Sequence, residues 1–145
     1  MHQQMRRYDL NTPDLDIGRD PLILALLKRR RVLLYTSAQV ADGLVQSLRE
    51  HGVFAWRMQT DNQDSAIENM TKLDQGVTVT TLPYATGFRV PVDLIVFVNL
   101  VFNPARPSDW LQARGRSSLA SVTVLYVNCE WEPKRVENGP PPKQG

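Results

Sequence analysis

Five apolar runs of strand length constrain the fold of this chain more than any other feature. They are RVLLYTS (31–37), VFAWRMQ (53–59), VTVTTL (77–82), DLIVFVNL (93–100) and VTVLYVN (122–128). Nearly continuous apolar runs are typical of strands that are buried on both faces of a parallel sheet. Parallel strands need crossover connections, which are right-handed and commonly helical. The sequence therefore predicts an α/β domain with helices on both faces of a mainly parallel sheet of five to six strands.

The stretches between these runs carry helical signals. Asp20 is a candidate N-cap and Pro21 suits the first helical position, while Ser37 can cap the next helix and Gly52 can end it. The predicted helices lie within RDPLILALLKRRR (19–31), AQVADGLVQSLREHG (38–52), SAIENMTKLDQG (65–76) and DWLQARGR (109–116). Helical stretches thus separate most of the strands, as a parallel sheet requires, while LPYATGFRVPV (82–92) is predicted to be a loop because it contains glycine and proline.

Length and composition predict one domain with two flanking segments. A chain of 145 residues is near the commonest size of a single domain. Residues 1–19 are interpreted as an N-terminal extension or linker, and the sequence leaves open whether they pack on the domain. The domain itself is expected over 20–129. Residues 130–145 contain three consecutive prolines and few apolar residues, which is typical of a disordered tail.

Several protein classes are excluded by what the sequence lacks. No apolar run approaches the roughly 20 residues that a membrane-spanning helix needs, and the N-terminus does not resemble a secretion signal. The single cysteine, Cys129, excludes an internal disulfide and fits a reducing compartment. We therefore expect a cytoplasmic protein, or one in the host cytoplasm if its source is a virus or phage.

No complete catalytic or metal-binding motif is present. The phosphate-binding pattern G-x-x-x-x-G-K-[ST] does not occur, nor does G-x-G-x-x-G. His2, His51 and Cys129 are far apart in sequence, so their spacing does not predict a zinc site, and no metal site is predicted. Cys129 ends an apolar run and is interpreted as a small core residue.

Positive charge is clustered, although the formal net charge is only +2. Arginines group at RR (6–7), KRRR (28–31) and RGR (114–116). Clustered arginines can follow a row of phosphates, but basic residues also stabilise the carboxyl end of a helix. KRRR ends a predicted helix, so the helix-dipole interpretation is favoured there.

Three segments in order carry a family resemblance. RVLLYTSAQVADGLVQSLREHGV (31–53) resembles motif IV of superfamily 2 helicases, and VTVTTLPYATGFRVPVDLIVFVNL (77–100) resembles motif V. NPARPSDWLQARGRSS (103–118) is similar to the lead into motif VI, Q-x-x-G-R-x-x-R, especially as Swi/Snf-type translocases have it. The likeness covers about three quarters of the chain, from Asp20 to Cys129. It implies a single RecA-like, three-layer α/β/α domain, the second or C-terminal lobe of such an enzyme.

The resemblance implies a nucleic-acid site in the loops beyond the strand ends. In the family, the motif V threonine and nearby backbone contact the nucleic-acid strand, and a glycine permits a tight loop. Thr81 and Gly87 match these positions, and Thr36 ends the motif IV strand. Tyr84 and Arg89 in the same loop are suited to stack on a base and to meet a phosphate of a single DNA or RNA strand.

It also implies a set of nucleotide-facing residues. In the family, the motif VI glutamine and arginines face ATP held by the first lobe, where arginine neutralises charge on the transferring phosphoryl group. Gln112 and Arg116 match that glutamine and the first arginine, and Arg114 could substitute if the loop shifts. Leu119 stands where the final arginine is expected and Leu82 where motif V has an aspartate. ATP and Mg²⁺ are therefore expected only when a partner lobe completes the site, and not for the isolated chain.

Three interpretations of function follow. The first is the second lobe of a helicase or translocase, working with a P-loop lobe in the same or another chain. The alternative is a stand-alone, catalytically inactive helicase-like protein of a virus or mobile element, which binds nucleic acid or occupies a host helicase or nuclease. The third is an unrelated small α/β enzyme. A purely structural interpretation also stands, in which Gly87 shapes a turn and Arg114 and Arg116 form a solvated helix face.

Overall fold

A parallel sheet of six strands forms the centre of the computed structural model, which describes residues 3–13, 15–82, 88–103, 105 and 108–131. The strands are Gln4–Leu10 (β1), Arg31–Tyr35 (β2), Ala55–Arg57 (β3), Gly76–Thr80 (β4), Leu94–Val98 (β5) and Ser121–Val127 (β7). Their spatial order is β1-β7-β5-β2-β4-β3, and every neighbouring pair is parallel. The predicted mainly parallel α/β fold is confirmed.

Helices connect these strands where the sequence predicts them. They are Pro21–Lys28 (α1), Ala38–Glu50 (α2), Gln63–Lys72 (α3) and Ser108–Arg114 (α4), with a 3-10 turn at Thr60–Asn62. Asp20 is the N-cap of α1, since its carboxylate accepts hydrogen bonds from the amides of Leu22 and Ile23, each at 3.0 Å. Gly52 follows α2 with a φ of 79°, a conformation that glycine adopts without strain. None of the described helices has the length and apolar character needed to cross a bilayer.

The segment before α1 contributes a strand that the apolar pattern does not reveal. β1 pairs with β7 along its whole length, from Gln4 opposite Ser121 to Leu10 opposite Val127. Its side chains are mostly exposed because β1 lies at the edge of the sheet. The sheet therefore extends N-terminal to residue 20, where the sequence places the start of the domain.

The other flanking segment begins with ordered structure. Glu130–Trp131 (β8) pairs in parallel with Val101–Phe102 (β6), in a two-stranded ladder separate from the main sheet. Residues 132–145, the rest of the predicted tail, lie outside the described residues.

Two apolar cores lie on opposite faces of the sheet. Alternate residues of β2 enter different cores, with Val32 and Leu34 on the side of α1 and α2 and Leu33 and Tyr35 on the other, as the pleat of a strand requires. On that second face a row of stacked rings crosses three adjacent strands. Tyr35 lies 5.3 Å from Phe97, and Phe97 lies 5.0 Å from Tyr126, between ring centroids.

We predict that Phe97→Ala lowers the free energy of unfolding by about 3–5 kcal/mol, because it leaves a cavity in the middle of this row. Phe97 is completely buried. The matched control is Phe54→Ala, since the Phe54 side chain is 63% exposed, and we expect it to cost less than about 1 kcal/mol. Urea unfolding followed by circular dichroism measures both values, and equal losses would contradict the assignment of Phe97 to the core.

Candidate nucleotide and nucleic-acid interface

Two segments that the resemblance assigns to motifs V and VI lie side by side. These segments, residues 88–92 and 113–119, are called the junction. Val90 and Ser117 form a parallel β-bridge. The Val90 amide donates to the Arg116 carbonyl, and the Ser118 amide donates to the Val90 carbonyl, both at 2.8 Å. The junction is therefore a single hydrogen-bonded unit.

Two arginines fasten the junction, each by a bond to the opposite segment. The Arg116 guanidinium donates from Nη1 to the Phe88 carbonyl at 2.8 Å, and its carbon lies 5.4 Å from the centroid of the Phe88 ring. The Arg89 guanidinium donates from Nη2 to the Ser117 carbonyl at 3.0 Å. A guanidinium has five N–H donors, so one such bond leaves others for an anion. The backbone contacts thus position both side chains while leaving them able to bind phosphate.

Ser117 is the junction residue that sequence reasoning missed. It is fully buried, and its hydroxyl donates to the Val92 carbonyl and accepts from the Leu119 amide at 3.2 Å. A serine in the run GRSS looks like an ordinary solvated loop residue, so nothing in the sequence distinguishes it. The hydroxyl ties the end of one segment to the turn of the other.

The other residues that the resemblance assigns to motif VI are spread along α4 and the following turn. Gln112 is exposed and Arg114 is half-buried. Burial raises the pKa of the Tyr126 hydroxyl, and nearby Arg114 and Arg7 oppose that shift, which places Arg114 close to Tyr126. Arg116 instead influences Tyr35, at the other end of the aromatic row. Arg114 therefore occupies a different place from Arg116 and could replace it only after rearrangement.

Position 119 carries no side chain suited to bind an anion. The Leu119 side chain is half-buried, its amide donates to Ser117 and its carbonyl accepts from the Gln3 side chain at 2.7 Å. Leucine has no donor for a phosphate. Leu82, at the motif V aspartate position, packs against the core that contains the aromatic row.

The predicted nucleic-acid residues lie at two places. Thr36 is buried, and its hydroxyl donates to the Val98 carbonyl at 3.1 Å, so it joins the ends of β2 and β5. The one O–H proton of Thr36 is used in that bond, so donation to a phosphate would require the bond to break. Thr81 is half-buried just after β4, and Arg89 is exposed in the junction. Tyr84 and Gly87 lie outside the described residues.

No other set of reactive side chains stands out in the described part of the chain. No three His, Cys, Asp or Glu side chains among these residues lie close enough together to hold a metal ion. The Cys129 thiol donates to the Phe97 carbonyl at 3.3 Å, and burial raises its pKa. A raised pKa disfavours the thiolate, so Cys129 is poorly suited to be a nucleophile.

Comparisons with known proteins agree with this arrangement at the level of fold. No family model and no curated protein sequence matches the chain. The C-terminal domain of a possible DNA helicase from Lactobacillus plantarum aligns with 90% of this chain and 79% of its own length, at 19% identity and a TM-score of 0.59. The C-terminal domain of the DEAD-box protein Dbp5 aligns with 87% of this chain and 76% of its own, at 19% identity and a TM-score of 0.59.

The chain has the fold of a helicase C-terminal RecA-like lobe. Saccharomyces cerevisiae Dbp5 bound to RNA and ADP BeF3 also aligns, over 87% of this chain with a TM-score of 0.61 at 19% identity. The chain covers only 35% of that structure. The chain therefore matches one part of that structure and not its whole length.

Tyr35 carries a buried hydroxyl with no hydrogen-bond partner among the described residues, and burial raises its pKa. We predict that Tyr35→Phe leaves stability at pH 7 unchanged or raises it by about 1 kcal/mol, because it removes an unpaired polar group. Above about pH 10 the unfolded wild type loses the Tyr35 proton while the folded protein keeps it, so wild-type stability falls as pH rises.

The variant should lose less stability than the wild type between pH 7 and about pH 11, where the unfolded tyrosine is ionised. Urea unfolding at the two pH values measures the difference. Identical losses in the two proteins would show that the Tyr35 hydroxyl does not titrate as its burial requires.

Proposed function

We propose that this chain acts as the C-terminal lobe of a superfamily 2 helicase or nucleic-acid translocase. In this proposal it binds a nucleic-acid strand and presents Arg116 to ATP held by a P-loop lobe in the same or another chain. The observation that carries the proposal is the junction, in which Val90 and Ser117 form a bridge between the two segments that resemble motifs V and VI. The helicase-lobe fold supports it.

Arg116 is the described residue best suited to meet the nucleotide. It is half-buried and already held against the Phe88 carbonyl and ring, so it needs little reorganisation to stabilise developing negative charge. Its Nε is a buried donor with no acceptor among the described residues, which fits an anion brought by the partner lobe. ATP with Mg²⁺ would supply the phosphoryl group for transfer. Gln112, exposed on α4, is the second residue proposed to face it.

Arg89 is the residue proposed to meet the nucleic-acid backbone. Its exposed side chain is anchored at one nitrogen by Ser117 and keeps its other donors. Thr81 lies at the carboxyl end of β4, where functional groups of parallel sheets collect. Tyr84 and Gly87, which lie between them in the sequence and outside the described residues, complete the proposed strand-binding segment.

We predict that Arg89→Ala weakens binding of a single-stranded DNA of about 12 nucleotides by about three- to tenfold at low salt. It should also reduce the slope of log affinity against log salt by about 0.7, because one phosphate contact is lost. The control is Lys72→Ala, which removes an equally positive charge that lies outside the junction, on α3, and is paired with Glu68. Fluorescence anisotropy measures both variants, and equal effects would contradict a specific role for Arg89.

We also predict that the isolated chain does not hydrolyse ATP at a helicase-like rate, with or without single-stranded DNA. The reason is that its sequence has no phosphate-binding G-x-x-x-x-G-K-[ST] loop. Release of inorganic phosphate measures the rate, and Arg116→Ala is the control for contamination, because a contaminating ATPase is unaffected by that change. Sustained hydrolysis that Arg116→Ala abolishes would show that the chain needs no partner lobe.

A second candidate function is favoured by Leu119. Leu119 stands where the family has the final motif VI arginine, and its side chain has no hydrogen-bond donor. The Leu119 amide and carbonyl are already bonded to Ser117 and Gln3. A lobe of this kind would bind nucleic acid or occupy a helicase or nuclease without supporting catalysis. Leu119→Arg distinguishes the two candidates, since it should raise ATP turnover by an associated P-loop lobe only if the site is otherwise competent.

A further inference from the structure

A groove on the other face of the sheet has no part in the junction. It is bordered by the last turn of α1 on one side and by the edge strand β1 on the other, and its volume is about 320 Å³. Its apolar floor includes Leu94 and Leu125, which belong to the core beside α1 and α2. The junction residues Val90 and Val92 belong to the opposite core. The sheet therefore separates the groove from the proposed nucleotide-facing site.

The strand register places two polar side chains of β1 above this floor. Arg6 lies opposite Thr123, which in turn lies opposite Leu94. Tyr8 lies opposite Leu125, and it shares a face with Arg6 because residues two apart in a strand point the same way. Tyr8 is 54% exposed, so its ring is open to a ligand.

The groove has more positive than negative charge. Arg6 forms no ion pair within the part of the chain that the structure describes, whereas Arg7 on the other face of the strand is paired with Asp9. Arg30 borders the groove from the end of α1, close enough to Asp93 to influence that carboxylate. The groove is suited to an anion because the guanidinium groups of Arg6 and Arg30 outnumber the one nearby carboxylate, that of Asp93.

We propose that this groove binds one nucleotide unit, with its phosphate between Arg6 and Arg30 and its base against the ring of Tyr8. Arginine binds phosphate through paired donors, and an aromatic ring stacks on any base. The Thr123 hydroxyl borders the same space and can bond to a sugar or phosphate oxygen. A cavity near 300 Å³ is at the small end of ligand sites, which suits one nucleotide. The unit is either a free nucleotide or one residue of a strand.

The experiment titrates the folded chain with AMP, followed by amide chemical shifts, and with a labelled single-stranded DNA of about 12 nucleotides, followed by anisotropy. Arg6→Ala and Tyr8→Ala should each weaken binding at least about fivefold, while Tyr8→Phe, which keeps the ring, should stay within about twofold. Lys72→Ala is the charge-matched control on the far side of the sheet. Both β1 side chains are exposed, and circular dichroism checks that the variants fold.

The possible outcomes distinguish a free nucleotide from a nucleotide within a strand, and a nucleotide site from a simple anion site. If AMP binding depends on Arg6 and Tyr8, the groove binds a free nucleotide. If only strand binding depends on these two residues, the groove binds one nucleotide of a strand. Binding of neither ligand, or equal weakening by Arg6→Ala and Lys72→Ala, would overturn the proposal. Weakening by Arg6→Ala without any by Tyr8→Ala would show a simple anion site and would also overturn it. Arg89→Ala tests the junction separately, so either site can fail while the other stands.

Discussion

The common direction of all six strands determines where the candidate functional groups of this domain lie. A segment that leaves one strand at its carboxyl end must return to the amino end of the next. The segment that resembles motif V leaves after Thr80 and returns at Leu94, and the segment that resembles motif VI returns at Ser121. Because β5 and β7 are neighbours in the sheet, the two returning segments converge. The bridge between Val90 and Ser117 is thus a consequence of the topology, and it sets the position of Arg116.

The sequence predicted the strands that are buried on both faces, because such strands consist mainly of apolar residues. β2, β4, β5 and β7 are buried on both faces and appear as apolar runs, which is why each lies where it was expected. β1 escaped because its edge position exposes most of its side chains, so QMRRYDL shows no apolar run. β6 and β8 have two residues each, too few for any periodicity to be visible.

The sequence indicated which segments contain the candidate site residues, but not the contacts that those residues make. The family resemblance named Gln112, Arg116 and Arg89 as site residues, and the structure places Arg116 and Arg89 in the junction and Gln112 on α4. The bonds from Arg116 to Phe88 and from Arg89 to Ser117 depend on tertiary pairing, which the sequence does not show. Thr36 shows the same limit of sequence-based prediction. Its position at a strand end was correct, but its hydroxyl is used inside the sheet, which a strand-end position alone does not reveal.

Amide chemical-shift mapping during titration with a single-stranded oligonucleotide tests most directly whether the strand binds at Thr81 and the junction. We expect the largest shifts at saturation at the amides of Thr81, at the end of β4, and Arg89, in the junction. Arg116 and Ser117 should shift as well, because they are bonded to that segment. A strand that binds while the amides of all four residues remain unshifted would contradict the account.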